Sequence, residues 1–152
     1  MKKIFLMMML LFVSTCFSLD NTQSMVSEKE KFNKLLTQAK AGDLQSQYDL
    51  SIIYMFDTYS INENIDEAPD YKSAFSWLSK SAEKNYSKSQ YMLANLYELG
   101  KGTKKDYNKA IFWYKKAVDN GNKDAICPLA KLYTKSGIHP KDPEISRKCL
   151  MK

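Results

Sequence analysis

Polar and apolar positions alternate with a helical period from residue 28 onward. The clearest stretch is residues 89–124. There Ser89, Leu93, Ala94, Leu96 and Tyr97 fall on one face of a helix. Gly100 and Gly102 follow, and glycine tolerates the left-handed backbone of a helix end and tight turn. Asp106 is placed to cap a second helix, whose apolar stripe is Ala110, Trp113, Tyr114 and Ala117, and Gly121 ends it. Small residues (Ala94, Ala110, Ala117) oppose large ones (Tyr97, Trp113, Tyr114), so the two helices can pack closely as a hairpin.

The hairpin repeats. A step of 36 residues takes Asp70 to Asp106, Tyr71 to Tyr107, Ala74 to Ala110, Trp77 to Trp113 and Asn85 to Gly121. The same step takes Ser89 to Ala125, Leu93 to Leu129, Ala94 to Ala130, Leu96 to Leu132, Tyr97 to Tyr133 and Asp106 to Asp142. Upstream the step is 43: Ser46-Gln47-Tyr48 matches Ser89-Gln90-Tyr91, and Tyr54 matches Tyr97. The excess falls between Tyr54 and Asp70, in a turn. A period of this size marks a solenoid whose units bury their apolar faces on their neighbours. The pattern predicts helices over 28–41, 44–56, 70–85, 87–99, 106–120, 123–136 and 143–150. Asp43 is the expected N-cap of 44–56, Ser87-x-x-Gln90 a capping box, and Pro128 a reason for the sixth helix to begin late or bend. Pro143 fits the first position of a short closing helix.

The residues Leu93-Ala94-x-x-Tyr97, Gly100-x-Gly102, Asp106, Lys109-Ala110, Trp113-Tyr114, Lys116-Ala117, Gly121-Asn122 and Ala125 resemble the SEL-1-like repeat, a relative of the tetratricopeptide repeat with a longer turn. The resemblance implies an all-α fold, an αα-superhelix built as a right-handed solenoid of antiparallel hairpins. It covers residues 28–150: a capping helix at 28–41, then units over 44–85, 86–121 and 122–150. The first unit carries the insert in place of the glycine pair, and the third has a shifted Ser136-Gly137 and a truncated second helix.

Residues 1–18 are of a different kind. Lys2 and Lys3 precede an unbroken apolar run from Ile4 to Val13, and small and polar residues follow. This is the layout of a bacterial secretory signal, and the run is too short to span a bilayer. Cleavage after Ser18 is expected, leaving 19–27 as a linker in a periplasmic or secreted protein. Val13-Ser14-Thr15-Cys16 also resembles a lipoprotein box, which would lipidate Cys16 and tether the protein to the envelope. Without Lys2 and Lys3 the 23 basic side chains become 21 against 17 acidic, and the formal charge falls from +6 to +4. Lysines interleaved with acids, and one arginine, read as a solvated surface and give no case for nucleic-acid binding.

Catalytic chemistry is sparse. His139 is the one histidine, no nucleophile has an evident base, and no phosphate loop follows a strand. No enzyme activity, cofactor or metal site is expected. The insert from Asp57 to Asp70 is acidic but lacks the spacing of a calcium loop, and Tyr59 and Ile61 are its candidate contacts. An oxidising compartment permits Cys127 and Cys149 to pair. The register argues the other way, since Cys127 aligns with Tyr91 on a first helix and Cys149 with Trp113 on a second. The resemblance lends that pairing no support.

The resemblance also implies that the first helix of each unit lines a concave groove. Tyr48, Tyr91 and Cys127 then form one row, Ile52, Asn95 and Lys131 another, and Met55, Glu98 and Thr134 a third. Aromatic area beside polar groups suits a peptide. The expectation is a non-enzymatic scaffold binding a protein or peptide partner, as in that family. The alternative is a protein binding glycan or peptidoglycan fragments through Tyr48 and Tyr91; an enzyme is the least favoured reading. Half-exposed tyrosines that merely close the hairpins remain a third account of the same rows.

Overall fold

The computed structural model describes residues 29–56, 69–137 and 143–151. The signal segment with Cys16, the linker, most of the insert with Tyr59 and Ile61, and His139 lie outside the described residues. Helical residues 29–40 (α1) carry the division between two units, 1–35 and 36–152. All that follows concerns the second.

Its elements are α2 (Leu44–Phe56), α3 (Tyr71–Glu83), α4 (Ser87–Leu99), α5 (Tyr107–Asp119), a 3-10 turn (Lys123–Ala125), α6 (Ile126–Ser136) and α7 (Pro143–Leu150). No strand occurs among the described residues. Each helix packs on its neighbour in sequence: α2 on α3, α3 on α4, α4 on α5, α5 on α6 and α6 on α7. This is the all-α hairpin repeat of the αα-superhelix class, in which local contacts carry the fold.

Acidic caps start α2, α3 and α5. The Asp43 carboxylate accepts from Ser46 N at 2.7 Å. Asp70 accepts from Lys72 N and Ser73 N, and Asp106 from Lys109 N at 3.0 Å. The capping box at Ser87-x-x-Gln90 is overturned: Tyr86 is the N-cap of α4, without a side-chain cap bond. Gln90 is fully buried and works between helices instead. Its Nε2 donates to Ala82 O at 3.1 Å, and its Oε1 accepts from Asn120 Nδ2 at 2.9 Å. In the preceding unit Gln47 Nε2 donates to Ala39 O at 2.9 Å, the same bond one repeat earlier. Pro128 is accommodated because the sixth helix begins with the 3-10 turn, leaving the proline at the third position of α6.

Two adjoining clusters lie within the core of the described residues. One gathers Met55, Ala74, Leu78, Ala82, Leu93 and Leu96. The other gathers Ala94, Ala110, Ile111, Tyr114, Ala117, Ala125, Leu129, Leu132 and Tyr133. Tyr97 and Trp113 lie against both and join them. Alanine at the contact positions lets the helices approach, and the aromatic rings fill the spaces between.

The turn after α4 is tightly built. Gly100 has φ +71° and Gly102 φ +70°. A Cβ on Gly102 would sit 2.1 Å from the carbonyl oxygen of Tyr71, so only glycine lets the turn lie against the start of α3. Asp106 N donates back to Tyr97 O at 2.9 Å and closes it.

Candidate functional site

The candidate rows run along α2, α4 and α6, and the structure treats their members differently. In the first helix of the stack, Tyr48 and Ile52 are half-buried. The Tyr48 ring is 5.9 Å from the ring of Tyr86, and Lys88 Nζ lies 6.0 Å from its centre. Burial pushes the Tyr48 hydroxyl above its ordinary pKa, with Asp49 and Tyr91 adding to the effect. The Tyr86 hydroxyl donates to the Gln45 side chain.

Met55 does not belong to the groove. Only 4% exposed, it packs in the core with Leu78 and Leu93. The reason is its place near the end of α2, where the helix faces α3 and a flexible apolar side chain fills the space beside Leu78.

In α4 the corresponding positions are polar and are held from within. Tyr114 of α5 is fully buried, and its ring is 5.9 Å from that of Tyr91. The Tyr114 hydroxyl reaches Asn95 Oδ1 at 2.6 Å and Glu98 Oε2 at 2.9 Å, donating its one proton to either. Burial, then the Glu98 charge, push that hydroxyl far above the ordinary tyrosine range. Asn95 and Glu98 are therefore half-buried supports of a core tyrosine as well as members of the row. The apolar stripe of α5 marks Tyr114 as a core residue without revealing this bond. The signal was present: one repeat earlier the three positions read Ile52, Met55 and Leu78, so all three change to polar-capable residues together.

In α6 Lys131 and Thr134 are exposed. Thr134 Oγ1 donates to Ala130 O at 3.2 Å, a bond within its own helix. Cys127 is joined to Cys149 of α7, with Cα atoms 4.9 Å apart. Cys149 takes the place of Trp113 only if α7 follows the register of α5. Here α7 is one short helix with no buried residue, packed on α6 so that the two cysteines meet. Among the described residues no group of His, Cys, Asp or Glu could hold a metal ion. None of the described helices is long and apolar enough to cross a membrane.

A stack of two-helix units with buried glutamine staples defines a helical-repeat protein. The Sel1 repeat model matches residues 44–86 and 87–122, more than half of the chain, and the chain belongs to that family. Sel1 repeats are in general protein–protein interaction scaffolds and typically non-enzymatic. A Sel1 repeat protein from Oxalobacter formigenes superposes with a TM-score of 0.66 at 26% identity, over 81% of this chain and 48% of that one. The c5321 protective antigen of uropathogenic Escherichia coli, which displays the SLR fold, gives 0.59 at 30% identity over 69% and 21%. The mouse DAP3-binding cell death enhancer 1 is 35% identical over 85 residues, 56% of this chain and 16% of that protein. The yeast chitin synthase regulator SKT5 is 39% identical over 60 residues, 40% and 9% respectively. The chain thus spans under a fifth of the length of the curated relatives it matches.

Proposed function

We propose that this protein is a non-enzymatic periplasmic or secreted scaffold that binds an extended peptide of a partner protein along the first helices of its repeats. The observation that carries this reading is the graded row Ile52, Asn95 and Lys131, beside Tyr91 of the neighbouring row. The three lie on successive first helices, half-buried, half-buried and exposed in turn. Apolar and aromatic area supplies burial, and the lysine end supplies a charged anchor. The signal-like residues 1–18 support export, with lipidation at Cys16 as the tethered variant. The names of the mouse and yeast relatives, one a binding protein and the other a regulator, agree with a protein partner.

The glycan reading draws less support from the geometry. Sugar stacking needs open ring faces, yet Tyr48 already packs on Tyr86 beneath Lys88, and Tyr91 packs on Tyr114. The test is affinity capture from envelope and secreted fractions, comparing wild type with a Tyr91→Ala/Lys131→Glu variant of native circular dichroism. Asn95 is left intact because Tyr114 depends on it. One discrete protein retained by wild type and lost by the variant supports the groove. Equal retention by both refutes it.

A further inference from the structure

The turn side of the stack, where α4 ends and α3 and α5 begin, carries lysines over tyrosine rings. Lys101 Nζ is 4.6 Å from the centre of the Tyr71 ring and donates to its hydroxyl at 3.0 Å. Lys109 Nζ is 5.4 Å from the centre of Tyr97. Two ammonium groups from different hairpins share one ring: Lys105 Nζ at 4.8 Å and Lys135 Nζ at 5.7 Å from the centre of Tyr107. All four lysines are exposed, and so is Lys104 between them. The positive field registers on Tyr107 itself, whose hydroxyl is held below its ordinary pKa by hydrogen bonding to Lys105, with both lysine charges adding to the effect.

The described acids of this edge do not neutralise it. Asp70 and Asp106 both spend their carboxylates on backbone N–H groups as helix caps. Lys109 approaches Asp106 only to 4.0 Å, the limit of an ion pair. The turn that carries Lys101 is fixed in place. Gly102 seats the turn against the Tyr71 carbonyl, and that contact sets Lys101 beside the Tyr71 ring.

We infer that this lysine–tyrosine edge is a second docking surface, distinct from the first-helix rows, and that it takes a carboxylate-rich segment of a protein partner. Each ammonium has three N–H donors, and the ring it covers leaves the outward ones to a ligand. Positive charge on a preformed edge matches a run of Asp and Glu. Nucleic acid fits less well: its bases need open aromatic faces for stacking, and here the lysines cover them. The cations are lysines acting as point charges, not arginine forks shaped for bidentate phosphate contacts.

The test is fluorescence anisotropy of a labelled Glu/Asp-rich peptide with the full chain at low salt. Binding should weaken about tenfold or more in Lys101→Gln/Lys105→Gln/Lys135→Gln and fall with added salt. The control Lys80→Gln/Lys115→Gln/Lys116→Gln removes equal charge from other parts of α3 and α5 and should keep nearly all the affinity. Equal loss in both variants reduces the effect to net charge and overturns the proposal, as does no binding by wild type. Tighter binding of single-stranded oligo-dT through the same three lysines would assign the edge to nucleic acid instead. If the peptide binds only after Asp57, Glu63, Asp66 and Glu67 are made amides, the edge serves this chain's own insert, and the proposal fails.

Discussion

The α2–α3 and α4–α5 hairpins share one register and solve it differently. Where the first has Ile52, Met55 and Leu78, the second has Asn95, Glu98 and Tyr114. The first set closes the hairpin with apolar burial: Met55 and Leu78 are 4% and 0% exposed. The second buries a tyrosine just as deeply and must then satisfy its hydroxyl, which Asn95 and Glu98 do. The difference teaches that a repeat position has no fixed role. Whether a first-helix residue stays at the surface or turns to the core depends on what its second-helix partner demands.

A similar contrast holds at the staple. Gln47 and Gln90 donate to equivalent alanine carbonyls, but Gln90 Oε1 has Asn120 while buried Gln47 Oε1 has no hydrogen-bond partner among the described residues. The residue at the Asn120 position of the first hairpin is Lys84. The two backbones there are the same: φ −90°, ψ 20° at Lys84 and φ −90°, ψ 18° at Asn120.

The turns part most sharply, so they give the largest expected effect. Gly102→Ala should destabilise by about 3 kcal/mol or more, because the methyl group meets the Tyr71 carbonyl in a left-handed backbone. Gly121→Ala, with φ +86° and nothing within 4 Å, should lose only about 1 kcal/mol. Urea denaturation of the two variants measures the gap, and equal losses would show that the turn does not press on α3. Next in size, Cys127→Ser/Cys149→Ser should lower stability by about 3 kcal/mol, the loop-closure value for a sequence separation of 22. Hydrogen exchange on that variant should show loss of protection in α7, which has no buried residue, and little change in α4.

Tyr114→Phe should lose about 1–2 kcal/mol by removing the donor to Asn95 and Glu98. Carrying the whole apolar set across, as Asn95→Ile/Glu98→Met/Tyr114→Leu, should recover much of that loss. If it does not, the two hairpins are not interchangeable in register. Lys84→Asn should stabilise by about 1 kcal/mol, giving Gln47 Oε1 the donor that Gln90 has in Asn120; a thermal melt would detect it. The smallest effect concerns a cap common to both hairpins. Hydrogen bonds from Ser73 hold the Asp70 carboxyl below its ordinary pKa of 3.8. The folded pKa lies below the unfolded one, so the cap's contribution is present above pH 4 or so and fades as pH falls through the folded value. Asp70→Asn keeps the acceptor and should flatten that part of the stability–pH curve.

Much of this architecture was readable in the chain. The spacing of Leu93, Ala94, Leu96 and Tyr97 and the 36-residue step give the helices and their stacking, because burial on neighbours forces periodicity. The Asp43 and Asp106 caps were equally visible, since each precedes an apolar stripe, and the 36-residue step sets Asp70 at the position of Asp106. Gln90 was not, because Ser87-x-x-Gln90 satisfies a local capping rule while the residue is claimed by Ala82 and Asn120 from other helices. Counting along the register puts Met55 in the groove but cannot report the shape of the space beside Leu78. Nor could a pattern say that Lys101, Lys105, Lys109 and Lys135 share one edge, because Lys101 meets Tyr71, and Lys135 meets Tyr107, only when separate helices are stacked.

The most direct test of peptide binding along the first helices is photo-crosslinking in cells expressing the protein. A benzophenone amino acid would be placed at Ile52, at Lys131 and, on the other helix of a hairpin, at exposed Phe112. The account predicts the same discrete protein adduct from positions 52 and 131 and none from 112. An adduct from 112 alone would place the binding face on the second helices and contradict it.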